Sequence, residues 1–187
     1  MQSKPPIRDI HTRKSEALPP IFELEPIKYP GEPPAYFAPL VRMIFPARAE
    51  AIIEIFRSGA IDVDPASTHP FAVKTRDEYI GITGFYLYNE NSVGLCWHGI
   101  IPSMRGLGIS RAVFAQTCTH ARARYPNVTE IIELIPSDRD DELTPYFKKL
   151  GFSHNGEIAT FEYLPKEVVW RVYRAPLSSS IDLKRTL

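Results

Sequence analysis

Apolar and polar residues alternate with a period that changes several times along the chain, and each change marks an element. The first long apolar run, Pro39-Leu40-Val41-Arg42-Met43-Ile44-Phe45 within residues 38–45, reads as a strand that stops at Pro46. The spacing then turns helical: Ala49, Ile52, Ile53 and Phe56 follow i, i+3, i+4, i+7, with Gly59 placed to close the helix. A polar, proline-punctuated connection over 61–70 leads to runs at 71–76, 80–88 and 93–101 that predict three strands. Arg76-Asp77-Glu78 and Asn89-Glu90-Asn91-Ser92 are short polar links that suit antiparallel neighbours.

Residues 109–124 return to helical spacing, with Val113, Phe114, Thr117, Cys118 and Ala121 on one stripe. A strand over 130–135 follows. Because a helix intervenes, it is expected parallel to the strand ending at Ile101, through a right-handed crossover. Thr144 as N-cap and Pro145 at the first helical position predict a short helix that Gly151 ends. Runs at 156–163 and 168–173 predict the last two strands. The expected class is α/β (α+β), one domain around a mixed sheet of about seven strands.

Proline usage changes the picture at the N-terminus. Eight of the 18 prolines lie before residue 35, where missing donors and fixed φ disfavour helix and interior strand. The division expected is a proline-rich extension over 1–35, a domain over 36–177 and a polar tail over 178–187. Ile21-Phe22-Glu23-Leu24 could lie along the domain as an edge or belong to a mobile tail, and the sequence does not choose.

The chain of 187 residues, 44% of them hydrophobic, fills one core. Lys plus Arg and Asp plus Glu number 22 each, so no global charge recruits nucleic acid or an acidic membrane surface. No apolar run is long enough to span a membrane and no signal core is present, so a cytoplasmic location is expected. Cys96 and Cys118 read as buried thiols, with Cys96 in the core rather than in the chemistry. The histidines show no metal spacing, and no metal is expected.

Chemistry concentrates in Ile100-Ile101-Pro102-Ser103-Met104-Arg105-Gly106-Leu107-Gly108-Ile109-Ser110, a strand end, a turn and a helix start. Gly106 and Gly108 let an anion approach the backbone, and a helix starting at Ile109 offers unpaired N–H groups with partial positive charge. Arg105 adds a full charge. A glycine turn that serves only as a turn is the competing reading. A P-loop is excluded because Gly108 is followed by Ile109-Ser110 rather than Lys-Ser/Thr, and a dinucleotide fingerprint is excluded because Arg111 stands at its third glycine.

The order of elements, together with Pro102-Ser103-Met104-Arg105-Gly106-Leu107-Gly108-Ile109 and Phe147-Lys148-Lys149-Leu150-Gly151-Phe152, resembles the GNAT superfamily of N-acetyltransferases over residues 38–177. The resemblance implies helices on both faces of the sheet, a splay between the fourth and fifth strands, and acetyl-coenzyme A as cosubstrate. It implies a pyrophosphate on the amides of Arg105, Gly106, Leu107, Gly108, Ile109 and Ser110. Gly99, Ile100 and Ile101 would present backbone groups to the pantetheine and thioester, the amide of Ile100 would stabilise an oxyanion, and Ser137 and Phe147 would complete the coenzyme site.

Two departures bear on the chemistry. Ser110 replaces the last glycine or alanine of the family pattern and brings a hydroxyl donor. The tyrosine that many members place four residues before the second glycine is Phe147 here, with Tyr146 one residue earlier and turned by about 100 degrees on an ideal helix. Tyr146 is the candidate general acid, or a core or rim tyrosine. His98 and Glu133 are the candidate general bases, each against a reading as an ordinary sheet residue. Asp140, Asp141 and Glu142 form a solvated loop or attract a cationic amine. Tyr86, Tyr88, Phe161 and Tyr163 line a pocket or pack the sheet.

The implied function is direct acetyl transfer from the thioester to a primary amine of a small molecule or peptide. The alternative is a catalytically weak acyl-CoA-binding regulatory or interaction module. No nucleic-acid or membrane partner is expected, and a homodimer is left open.

Overall fold

A computed structural model of the protein describes residues 21–59, 64–159 and 169–177. Expectations for 1–20, for 61–63, for Phe161 and Tyr163, and for the tail lie outside the described residues.

The sheet has seven strands in the order β1-β2-β3-β4-β5-β7-β6: β1 (Glu23–Pro26), β2 (Thr68–Lys74), β3 (Tyr79–Asn89), β4 (Ser92–Ile100), β5 (Glu130–Pro136), β6 (Ser153–Ala159) and β7 (Trp170–Pro176). Neighbours pair antiparallel except β4 and β5, which are parallel as the intervening helix requires.

The expected count of seven holds with a different first strand. Residues 38–45 are not a strand: α1 (Phe37–Ile44) is a helix that buries Phe37, Leu40, Val41 and Ile44 at i, i+3, i+4 and i+7. A nearly continuous apolar run fits both periods, and the deciding position, Phe37, stands just before it. Pro39 falls in the first helical turn, where its missing N–H has no intrahelical partner to lose. The missing strand is supplied by β1, which runs along β2 as an edge and buries Leu24. The open choice for residues 21–24 therefore falls on the edge.

α2 (Ala49–Ser58) buries Ala49, Ile52, Ile53 and Phe56 and ends at Gly59 as its spacing predicts. It packs with α1 on one face, where the Phe56 ring lies 4.1 Å from Phe37 and 4.6 Å from Trp97. α3 (Ile109–Arg124) and α4 (Asp140–Lys149) cover the opposite face, joined through Phe114, Phe152 and Phe147 at 5.4 and 5.5 Å.

α4 begins four residues before the expected cap. Asp140, Asp141 and Glu142 form its first turn, where carboxylates complement the helix dipole, and Pro145 lies inside the helix rather than at its start. Thr144 is not a cap: its hydroxyl donates to Asp140 at 2.7 Å and meets Tyr173 Oη at 2.8 Å.

Candidate functional site

β4 and β5 pair over Ser92–Gly94 and Glu130–Ile132 only, then separate, so a wedge opens between the fourth and fifth strands. The closed end is clasped by side chains. Glu130 accepts from Ser92 Oγ and from Arg174, whose guanidinium also bonds Glu157 at 2.8 and 3.0 Å.

At the open end a β-bulge alters β4. Gly84 faces Cys96 and Ile82 faces Gly99, so Trp97 and His98 together oppose Thr83, and Trp97 carries the left-handed φ of 49°. Trp97 turns toward α2 and His98 toward α3. Gly99 faces α1, so tightly that a Cβ there would lie 2.3 Å from Ile44 Cγ2 and 2.7 Å from Phe45 Cζ.

A cleft of about 1000 Å³ runs from the end of α1 across β4 to the start of α3 and the side of α4. At one end stands the glycine turn. Gly106 and Gly108 have φ of 80° and 74°, and a Cβ on either would meet nothing within 4 Å, so the turn leaves open space that a side chain would fill. Gly108 is the N-cap of α3 and no side chain caps the helix, so the first-turn amides stay available to an anion. The cradle fits a pyrophosphate by shape and by donors.

The anticipated coenzyme residues are distributed unevenly. Gly99, Ile100, Arg105, Gly106, Gly108, Ile109 and Ser110 all line the cleft. Leu107 is 50% exposed and Ser137 donates its amide to Val169 O at 2.8 Å, and neither lines it. Ile101 is buried, donates its amide to Ile80 O and accepts from Met104 N, so its backbone groups are engaged inside the protein. Arg105 donates to Ile100 O at 3.0 Å and to Ile44 O at 3.4 Å, bracing β4 against α1. Ladder alternation directs the Ile100 amide away from β3, because Ile101 is the residue that bonds to it.

The two neighbours on α4 exchange their expected places. Phe147 is buried in the core against Phe152, while Tyr146 lines the cleft with its ring 6.3 Å from His98. The earlier start of α4, with Pro145 inside it, accompanies this orientation. Tyr146 Oη bonds Ser110 Oγ, and Ser110 Oγ lies 3.0 Å from His98 Nε2. The Ser110 hydroxyl is thus held by side chains. Burial holds the Tyr146 phenol up to about 12, against the lowering effect of Ser110. Burial also brings the His98 imidazole down to about 4, against the raising effect of neighbouring Ser110.

His98 has both ring nitrogens bonded within the protein, Nδ1 to Thr83 Oγ1 at 3.0 Å. Glu133 stands on β5 on the α4 side and does not line the cleft. Burial pushes its carboxyl well above the usual carboxylate range, and among the described residues it has no hydrogen-bond or ion-pair partner. A carboxyl whose folded pKa is raised stabilises the fold below its unfolded value, near 4.5, and loses that contribution as pH rises through the folded value. Glu133→Gln is therefore expected to melt higher than the native chain at neutral pH, with the gain vanishing toward pH 4.5. Parallel melting curves across that range would count against this account.

The acidic run is mostly engaged. Asp140 accepts from Thr144, Tyr173 and Arg171, and Glu142 from Arg139 at 2.9 Å. Both cysteines are free thiols, and burial raises the pKa of each. No group of residues suited to holding a metal occurs among the described residues, and no helix described is long and apolar enough to cross a membrane. The sequence reading missed the α1 side of the cleft, from Met43 to Arg48, and the buried hydroxyl of Thr83. The signals were Phe37 as the first member of a helical stripe and a threonine inside an apolar strand.

A model of the acetyltransferase (GNAT) family matches residues 29–152. Three solved structures share the fold. A GNAT-family protein from Desulfovibrio desulfuricans is 16% identical, with TM-score 0.62 over 84% of this chain and 100% of that one. A GNAT acetyltransferase from Elizabethkingia anophelis, solved with acetyl-CoA bound, is 14% identical, with TM-score 0.55 over 83% and 97%. A variant of the spermidine N-acetyltransferase SpeG from Vibrio cholerae is 13% identical, with TM-score 0.58 over 86% and 96%. No curated protein matches the chain in sequence.

Proposed function

The chain belongs to the GNAT family of acetyltransferases, and from that premise we propose that it moves an acetyl group from acetyl-coenzyme A directly to a primary amine of a small molecule or peptide. The observation that carries this reading is one cleft that joins the uncapped start of α3, the diverging end of β4 and the Tyr146 hydroxyl. The amides of Gly106, Gly108, Ile109 and Ser110 hold the pyrophosphate, with the helix dipole favouring its charge. The open wedge beside β4 takes the pantetheine. The Ile100 N–H, turned away from β3, stabilises the oxyanion that forms when the amine attacks the thioester.

The amine attacks as its neutral form, so the reaction must take one proton from nitrogen and deliver one to sulfur. Tyr146 meets both needs: its phenol protonates the departing thiolate, and the phenolate accepts the proton of the acetylated nitrogen. His98, with both nitrogens bonded, and Glu133, which does not line the cleft, receive no support as direct bases. No cysteine is used.

The test is thiol release from acetyl-CoA across polyamines, aminoglycosides, amino acids and peptides. Release matched by N-acetyl product for at least one amine is expected. Coenzyme binding with no release from any amine would replace this reading with that of an acyl-CoA-binding module.

A further inference from the structure

Five side chains link the cleft to the interior of α3 in an unbranched series. Tyr146 Oη bonds Ser110 Oγ; His98 Nε2 lies 3.0 Å from Ser110 Oγ; His98 Nδ1 lies 3.0 Å from Thr83 Oγ1. Thr83 Oγ1 lies 3.0 Å from Thr117 Oγ1, which donates to the Val113 carbonyl at 2.8 Å. Thr83 and Thr117 are fully buried, so water does not complete their bonding.

Each hydroxyl has one proton to donate, and so does a neutral imidazole. The series ends on a carbonyl, which has none, and counting back from it assigns every proton. Thr117 gives its proton to Val113, so Thr83 donates to Thr117. The Thr83 oxygen then accepts from His98 Nδ1–H, which leaves Nε2 bare. Nε2 accepts from Ser110, and the Ser110 oxygen accepts from Tyr146. Every proton points inward, and Tyr146 turns only lone pairs toward the cleft.

Resting on Tyr146 as the acid in the reading above, we infer that Ser110 is a two-position hydrogen-bond donor, parked on His98 at rest and turned to Tyr146 during transfer. Ser110 Oγ is within hydrogen-bond reach of both groups, so the turn is a rotation of the O–H alone. As the C–S bond breaks, the phenolic O–H turns from Ser110 to sulfur and gives up its proton, and a phenolate remains. The Ser110 hydroxyl, still intact, swings from Nε2 to the phenolate and stabilises its charge. When the phenolate takes the proton of the acetylated nitrogen, Ser110 returns to His98. Over the cycle an N–C bond forms and a C–S bond breaks. One proton leaves nitrogen, one reaches sulfur, and none leaves the series.

His98 is a positioning residue, acting through Ser110.

Long-range proton–nitrogen-15 spectra of the full chain at neutral pH test the direction. His98 is expected neutral, with Nδ1 protonated and Nε2 bare; an Nε2–H tautomer or an imidazolium would overturn the inference. Ser110→Ala is expected to shift the Nε2 resonance and to lower kcat roughly ten- to hundredfold, the effect of one hydrogen bond to a charged group, with KM for acetyl-CoA unchanged. An unchanged kcat, or a rise in KM alone, would place Ser110 in ligand binding or packing instead. A chain that turns over no amine defeats the proposed function, while the tautomer still decides the series.

Discussion

Gly108→Glu is expected to abolish acetyl-CoA binding and to leave the protein folded. Nothing lies within 4 Å of where a Cβ would stand on Gly108, so the new side chain meets no protein atom close to the backbone. It enters the space that the turn keeps open, bringing a carboxylate to amides assigned to a pyrophosphate. The φ of 74° adds backbone strain of order 1–3 kcal/mol for a residue with a Cβ. Gly108→Ala carries the strain without the charge and bulk, and separates the two. In calorimetry the glutamate variant should lose affinity by at least about a hundredfold, or roughly 3 kcal/mol, and the alanine variant clearly less. Undiminished affinity in the glutamate variant would remove the phosphate assignment.

Tyr146→Phe should lower kcat by roughly two to four orders of magnitude while KM for acetyl-CoA changes little. The phenyl ring preserves the packing against Phe147, at 5.0 Å between centroids, and removes only the hydroxyl that meets Ser110. Because burial holds the phenol at about 12, Tyr146 stays protonated through the physiological range. An alkaline loss of activity within that range therefore has another origin. A kcat unaffected by the substitution would return proton transfer to solvent and leave Tyr146 as a wall of the cleft.

What the chain discloses on its own follows the range of the interactions. α2 and α3 were legible because their stripes are local: Ile52, Ile53 and Phe56 in one, Val113, Phe114 and Thr117 in the other. The glycine turn was legible for the same reason, since Gly106 and Gly108 adopt conformations that few other residues tolerate. α1 was not, because a run from Pro39 to Phe45 is apolar at almost every step and either period describes it. The facing of Tyr146 depended on where α4 begins. The three carboxylates at Asp140, Asp141 and Glu142 carried that signal, as a dipole-matched first turn rather than a loop. The hydroxyl series was beyond reach, because Thr83, His98, Ser110 and Tyr146 come from four separate segments and meet only after the sheet is assembled.

The extra residue in β4 is a matter of parity. Up to Cys96, even-numbered residues of the strand face α1 and α2; from His98 onward they face α3, because Trp97 counts once in the sequence and not in the ladder. One strand can therefore deliver an imidazole to one side of the sheet and a bare glycine edge to the other, in adjacent positions, without a loop between them. Removing a single residue there would leave β4 paired and buried, yet exchange the sides of everything that follows. The site would lose its sense of inside and outside before the fold lost its shape.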